Sequence, residues 1–206
     1  MALGGHRLNL KMMIILLVCL AVVIGLAVAS YRTSRAGYES APYRVVRTDG
    51  KFELRDYPAL TVVETPMVRS RHGADNGFMR LFRFITGQNA AQQKIPMTTP
   101  VFMSGGDSNQ IMAFVMPATM KASQVPQPSD GAVSVRELEA GRFAVLRFSG
   151  WRNPKNESKA EQQLQTWMTV QGVKAVGTPV YGYFDPPWTL PFLRRNEVML
   201  RTEAER

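Results

Sequence analysis

The sequence predicts an α+β domain made of two repeated strand–strand–helix–strand–strand units, preceded by one transmembrane helix. Three observations predict it. An unbroken apolar run covers Met12 to Ala29, two strand–turn–strand segments recur at 52–65 and 133–149, and a helix-period segment follows each.

Residues 1–11 form a short tail with Arg7 and Lys11. The run at 12–29, MMIILLVCLAVVIGLAVA, spans about 27 Å as a helix, close to the hydrocarbon thickness of a bilayer. It has no polar stripe, so it is a membrane helix or a secretion signal. Ala27-Val28-Ala29 resembles a cleavage site, but signal h-regions run to about 15 residues, which favours an uncleaved signal anchor. Cys19 lies inside the run as a small apolar residue. Arg7 and Lys11 on one flank face Arg32, Arg35, Arg44 and Arg47 on the other, so charge asymmetry does not set the orientation. A short basic tail before a first helix usually stays in the bacterial cytoplasm, which places the domain on the extracytoplasmic side. Residues 30–42, polar and punctuated by Gly and Pro, read as a linker to a domain at 43–203.

In that domain FELRDYPALTVVET (52–65) aligns with VSVRELEAGRFAVLRFS (133–149). In the first helix Phe78, Leu81, Phe82 and Ile85 share one face, with Met79 and Phe84 to either side of it and Arg80 and Arg83 behind. In the second, Ala160, Leu164, Trp167 and Met168 do the same. Asn153-Pro154 reads as an N-cap with proline in the first turn, and Gly87 and Gly172 as helix stops. Thr99-Pro100-Val101-Phe102 matches Thr178-Pro179-Val180-Tyr181, and each unit closes on a strand, 111–116 and 197–200. Ser104–Asn109 reads as a hairpin turn and 117–131, with three prolines, as a loop. Either unit alone buries little, so their strands should join in one antiparallel sheet.

The chemistry-bearing inventory is thin. One cysteine excludes an intrachain disulfide and a cysteine zinc site, and His6 and His72 cannot make a three-histidine centre. There is no phosphate-cradling glycine loop, no nucleophile elbow and no telling carboxylate pair. Asp56, Glu64, Asp75, Asp185 and Glu197 read as isolated, solvated or capping acids. The net charge of +9 comes without a Lys/Arg block, so nucleic acid is not an expected partner. No enzyme is expected.

Two apolar segments remain as walls of a groove. One is the first helix, with Phe78, Met79 and Phe82; the other is DPPWTLPFLRR (185–195), proline-stiffened and richer in Trp, Leu and Phe than a solvated loop requires. Arg194 and Arg195 should point to opposite faces as they enter the last strand.

FELRDYPALTVVET, KIPMTTPVFM (94–103) and YGYFDPPWTLPFLRRNEVML (181–200), in this order and spacing, resemble the SOUL/haem-binding protein family over about residues 43–203. The resemblance implies a pseudo-twofold, barrel-like fold and non-catalytic binding of haem or a related tetrapyrrole for storage, transport or delivery. It also implies a groove between the first helix and the loop before the last strand. Carried over, the groove comprises Phe78, Met79, Phe82 and Arg83 with Trp188, Thr189, Leu190 and Phe192. An arginine would pair a propionate, and His72 is the one candidate axial ligand. The loop lacks the lysine that other members place beside DPP. Related effector-binding domains keep open a different apolar ligand or a lipid, and a tetrapyrrole-modifying enzyme is the remaining alternative.

Overall fold

The structure is a computed structural model that describes residues 10–33, 37–67, 77–105 and 109–203, with side chains of the first helix described to Gly25. The chain divides into two compact units, Met1–Gly37 and Tyr38–Arg206. Residues 1–9 of the tail, 34–36 of the linker, His72, Asp75 and the centre of the 104–109 turn lie outside the described residues.

The first unit holds helix α1, Leu10–Thr33, which extends the apolar run at both ends and enters the segment read as linker. At 1.5 Å per residue it is about 36 Å long. Its side chains from Leu10 to Ile24 are exposed. Taken over the described residues alone, no helix is long and apolar enough to cross a membrane.

Among its described residues the second unit contains eleven strands: β1 (Glu39–Ser40), β2 (Arg44–Asp49), β3 (Phe52–Tyr57), β4 (Leu60–Pro66), β5 (Thr98–Thr99), β6 (Val101–Ser104), β7 (Ile111–Val115), β8 (Ser134–Leu138), β9 (Gly141–Phe148), β10 (Ala175–Tyr183) and β11 (Asn196–Thr202). Helix α2 spans Gly77–Ile85 and α3 spans Pro154–Val170. β1 pairs with β5 in parallel. The other nine strands form one antiparallel sheet in the order β2-β3-β9-β11-β10-β6-β7-β4-β8. Both strand–turn–strand segments appear where the sequence places them, yet neither closes a hairpin. β3 pairs with β9 and β4 with β8, so each unit lends its first strand to the other's second. The strands do join.

Alternation along the central strands builds three apolar clusters. Met112 and Phe114 of β7 lie under α2 with Val63, Leu81, Phe84 and Ile85, while Ala144 and Leu146 of β9 lie under α3 with Leu164 and Met168. The intervening residues Ala113, Val115, Val145 and Met199 turn to the opposite face, where they meet Tyr57, Leu60 and Phe102. A face that has no helix over it must bury itself by curling. Tyr57 of β3 and Leu138 of β8, near opposite ends of the strand order, accordingly line one small cavity. Among the described residues the curl stops short of a closed barrel, because β2 and β8 each have a single partner strand and remain edges.

Asn153 caps α3 by accepting from the Asn156 N–H at 2.9 Å, with Pro154 next in line. Gly172 and Gly87 follow their helices at positive φ, +68° and +115°, which favours glycine. Ala160, Leu164, Trp167 and Met168 are the buried face of α3, as read from the sequence. In α2 the buried residues are Gly77, Leu81, Phe84 and Ile85, whereas Phe78 and Phe82, expected inside, are exposed. Arg80 sets this rotation. Its guanidinium donates to Thr65 Oγ1 at 3.0 Å and to the Pro66 carbonyl at 2.6 Å, pinning the helix to β4.

Candidate functional site

The rotation of α2 creates a solvent-facing strip. Phe78 and Phe82 stack one turn apart with centroids 5.9 Å apart, Phe78 packs edge-on against Phe114 at 5.3 Å, and Met79 is exposed beside them. Arg83 makes no side-chain hydrogen bond or ion pair among the described residues. With Arg80, Phe84 and Asp130 it lines a cavity of about 40 Å³. A helix face of this kind offers two aromatic planes, a thioether and a guanidinium that is not already committed.

The second wall lies in the β10–β11 connection. Trp188 and Phe192 are 66% and 72% exposed, and Leu190 and Leu193 are exposed with them, so this stretch does not spend its apolar surface on the core. Its shape is held by Arg194, which donates to the Pro187 and Thr189 carbonyls and stacks on Trp151 at 4.5 Å. Thr189 closes the turn from its own N–H to the Pro186 carbonyl at 3.0 Å. Phe192, Leu193 and Arg194 border a cleft of about 650 Å³ whose other sides are Lys51, Arg147, Phe148 and the α3 residues Lys159 and Gln163. Each wall is assembled locally. Among the described residues no ring contact joins Phe78 or Phe82 to Trp188 or Phe192, and the clefts that the two walls border are different.

Arg194 and Arg195 precede β11 and take separate partners, and Arg195 leads to a network that the sequence reading missed. Arg55 is 2% exposed and Glu197 0%. The guanidinium grips the carboxylate with both terminal nitrogens, 2.7 and 3.0 Å, and its Nε donates to Glu53 at 2.6 Å. Arg195 adds a third contact to Glu197 at 2.6 Å and donates to the Tyr43 hydroxyl at 3.1 Å, while Arg55 lies over the Tyr43 ring. Burial acts to lower the Arg55 pKa, but the Glu197 hydrogen bond and charge outweigh it and hold it above arginine's ordinary value. Glu197, an isolated acid by the sequence, is the centre of a cluster in which it and Arg55 are buried while Glu53 and Arg195 are partly exposed. The available signal was an acid inside an apolar strand, NEVML, which demands a buried partner. Asp56 and Glu64 are paired as well, with Arg44 and Arg142 and with Arg136, and Asp185 accepts from the Arg195 N–H at 2.6 Å. FELRDYP and RRNEV therefore meet as a fold-holding ion cluster.

Among the described residues no group of three His, Cys, Asp or Glu side chains could hold a metal ion. What the surface offers is adsorption of a flat apolar molecule with acidic substituents, on aromatic faces with guanidinium or ammonium groups at hand.

Comparison with known proteins adds the following. The model of the SOUL heme-binding protein family matches residues 38–201. Heme-binding protein 1 of Sus scrofa is 31% identical over 131 residues, covering 59% of this chain and 67% of that protein. The EcmrR C-terminal domain superposes with a TM-score of 0.53 at 12% identity, over 78% of this chain and 98% of that one. A hydrolase from Listeria innocua gives 0.53 at 10% identity, over 77% and 94%. At such identities these two similarities concern the fold alone.

Proposed function

The chain belongs to the SOUL haem-binding protein family, and on that premise we propose that its domain binds haem or a related tetrapyrrole without transforming it, for storage, transport or delivery. The observation that carries this reading is the α2 strip. Phe78, Met79 and Phe82 stay exposed on a short helix whose other apolar residues are buried, which leaves aromatic area free for a planar guest. The macrocycle lies against this strip and Arg83 takes a propionate; a contribution from Trp188, Thr189, Leu190 and Phe192, whose loop borders a different cleft, is a separate proposal tested by Trp188→Ser with Phe192→Ser in the same titration. Arg80 and Arg194 are occupied by backbone carbonyls and are poorer candidates for that contact. Burying about 300 Å² of apolar ligand surface contributes about 7 kcal/mol before association costs, short of the about 8 kcal/mol of micromolar binding, so the propionate contact must add to it. An axial role for His72 is a separate proposal, tested by His72→Ala and the Soret position.

Two further readings belong to the same proposal. The 12–29 run anchors the chain in a membrane and leaves the domain outside the cytoplasm; the unbroken apolar sequence of the run supports the first part and the short basic tail before it the second. The two repeated units are related by an approximate twofold axis. Inward from β3 and inward from β8, the sheet presents the same succession: first strand of one unit, then second, fourth and third strands of the other.

Hemin titration of fragment 38–206 tests the central claim. We expect a Soret shift with tryptophan quenching, and Phe78→Ser with Phe82→Ser should weaken binding about tenfold at a stability cost of about 2 kcal/mol or less, so that the variant still melts cooperatively. Absence of any Soret change at tens of micromolar overturns the reading. Native mass spectrometry of freshly isolated protein separates a tetrapyrrole from another apolar ligand, since the co-purifying molecule is weighed directly.

A further inference from the structure

The β10–β11 connection carries more exposed apolar area than a groove wall requires. Trp188, Leu190, Phe192 and Leu193 are each more than half exposed, as is Trp151. They belong to one assembly, because the Gly150 N–H donates to the Pro191 carbonyl at 2.9 Å and Arg194 bridges the Trp151 ring to the Pro187–Thr189 turn. Prolines 186, 187 and 191 stiffen the segment, so these tips are held out in water without room to collapse.

Beside the tips runs the 650 Å³ cleft, and its charged lining is of one sign. Lys51, Arg147, Lys159 and Arg194 contribute to it and no carboxylate does. Arg147 and Lys159 make no side-chain hydrogen bond or ion pair among the described residues, and the Lys51 ammonium is bonded only to the neutral Gln163 amide at 2.7 Å. On the two elements that contribute to the cleft, Asp185 is engaged by the Arg195 N–H and Glu157 by the Tyr183 hydroxyl at 2.5 Å.

We infer that this end of the domain is a docking surface for an anionic lipid bilayer. Protruding Trp, Leu and Phe on a rigid loop suit the headgroup–acyl boundary, and an acid-free row of cations behind them suits a plane of phosphates. A protein partner would have to be strongly acidic and indented to receive the same tips. The docking needs no tetrapyrrole and no α1, so it stands or falls apart from both.

The three core clusters all lie within 38–206, so this fragment folds on its own and provides the test. Ligand-free fragment is sedimented with vesicles of phosphatidylcholine containing about 30% phosphatidylglycerol, and with phosphatidylcholine alone. Expected are binding to the anionic vesicles, a blue shift of tryptophan emission, and release at about 0.5 M salt. Arg147→Glu with Lys159→Glu, both exposed, should lower binding roughly tenfold or more with the melt unchanged, and Trp188→Ser with Phe192→Ser should lower binding as well and shrink the blue shift to what Trp151 contributes. No sedimentation, or equal binding to both vesicle types, overturns the inference. So does a concentration-dependent dimer that the Trp188/Phe192 variant dissolves, which would make the surface a self-association face. A normal hemin titration alongside failed vesicle binding removes this inference and leaves the tetrapyrrole reading in place.

Discussion

Arg55 and Glu197 show how a pair of charges can be buried in the domain. Their desolvation is offset because every carboxylate oxygen of Glu197 is gripped and Arg55 has Glu53 and Tyr57 as further partners. Removing one member leaves the others charged and dry. Glu197→Gln should therefore destabilise the domain by about 3–5 kcal/mol in urea denaturation, and a change below about 1 kcal/mol would refute this account. Tyr57 sits in the same cluster, and burial pushes its hydroxyl up to about 12. From about pH 10, where a free tyrosine titrates, to about pH 12, the unfolded chain sheds a proton that the folded domain keeps. The stabilisation is thus complete below about pH 10 and is lost as the pH rises through about 12, a loss of about 3 kcal/mol at most. Tyr57→Phe should flatten that alkaline slope. At the other end of the scale the Arg142 hydrogen bond, reinforced by Arg44, holds the Asp56 carboxyl below its ordinary value. Its contribution is present above the ordinary carboxylate range and goes as the acid protonates.

Among the elements, α2 and α3 differ in what the sequence could say about them. A helix with one apolar stripe has one way to lie on a sheet, and α3 lies as its pattern dictates. The α2 sequence is apolar around most of its circumference, and the stripes 78/81/82/85 and 77/81/84/85 both have helical spacing. The choice between them is made by Arg80 reaching Thr65 and Pro66 and by the fit of Phe84 under the sheet. Phe84→Ala should cost about 3–5 kcal/mol and Phe78→Ala about 1 kcal/mol or less; the reverse order would return Phe78 to the core. For α3, Asn153→Ala should cost about 1 kcal/mol through loss of the Asn156 cap.

At the scale of the molecule, the exchange of first strands makes the two repeated units one folding domain. β3 lies against β9 and β8 against β4, so neither unit keeps its own sheet when cut from the other. Fragments 38–131 and 132–206 should each lack a cooperative melt, whereas 38–206 should melt as a single transition; a folded half would contradict the strand order seen here.

The strands, helices, caps and stops were legible in the sequence because each depends on neighbours within a few turns of chain, and the family motifs were legible because they are contiguous. So was the apolar run that became most of α1. The rest arises from residues far apart in the chain. The pairing of Arg55 with Glu197, 142 residues apart, the exposure of Phe78 and the one-signed cleft of Lys51, Arg147, Lys159 and Arg194 leave no periodic trace. Local patterns specify which residues want burial or a cap. Which face finds a sheet, which charge finds its partner and which loop is left in water are settled only when all nine strands compete for the same interior.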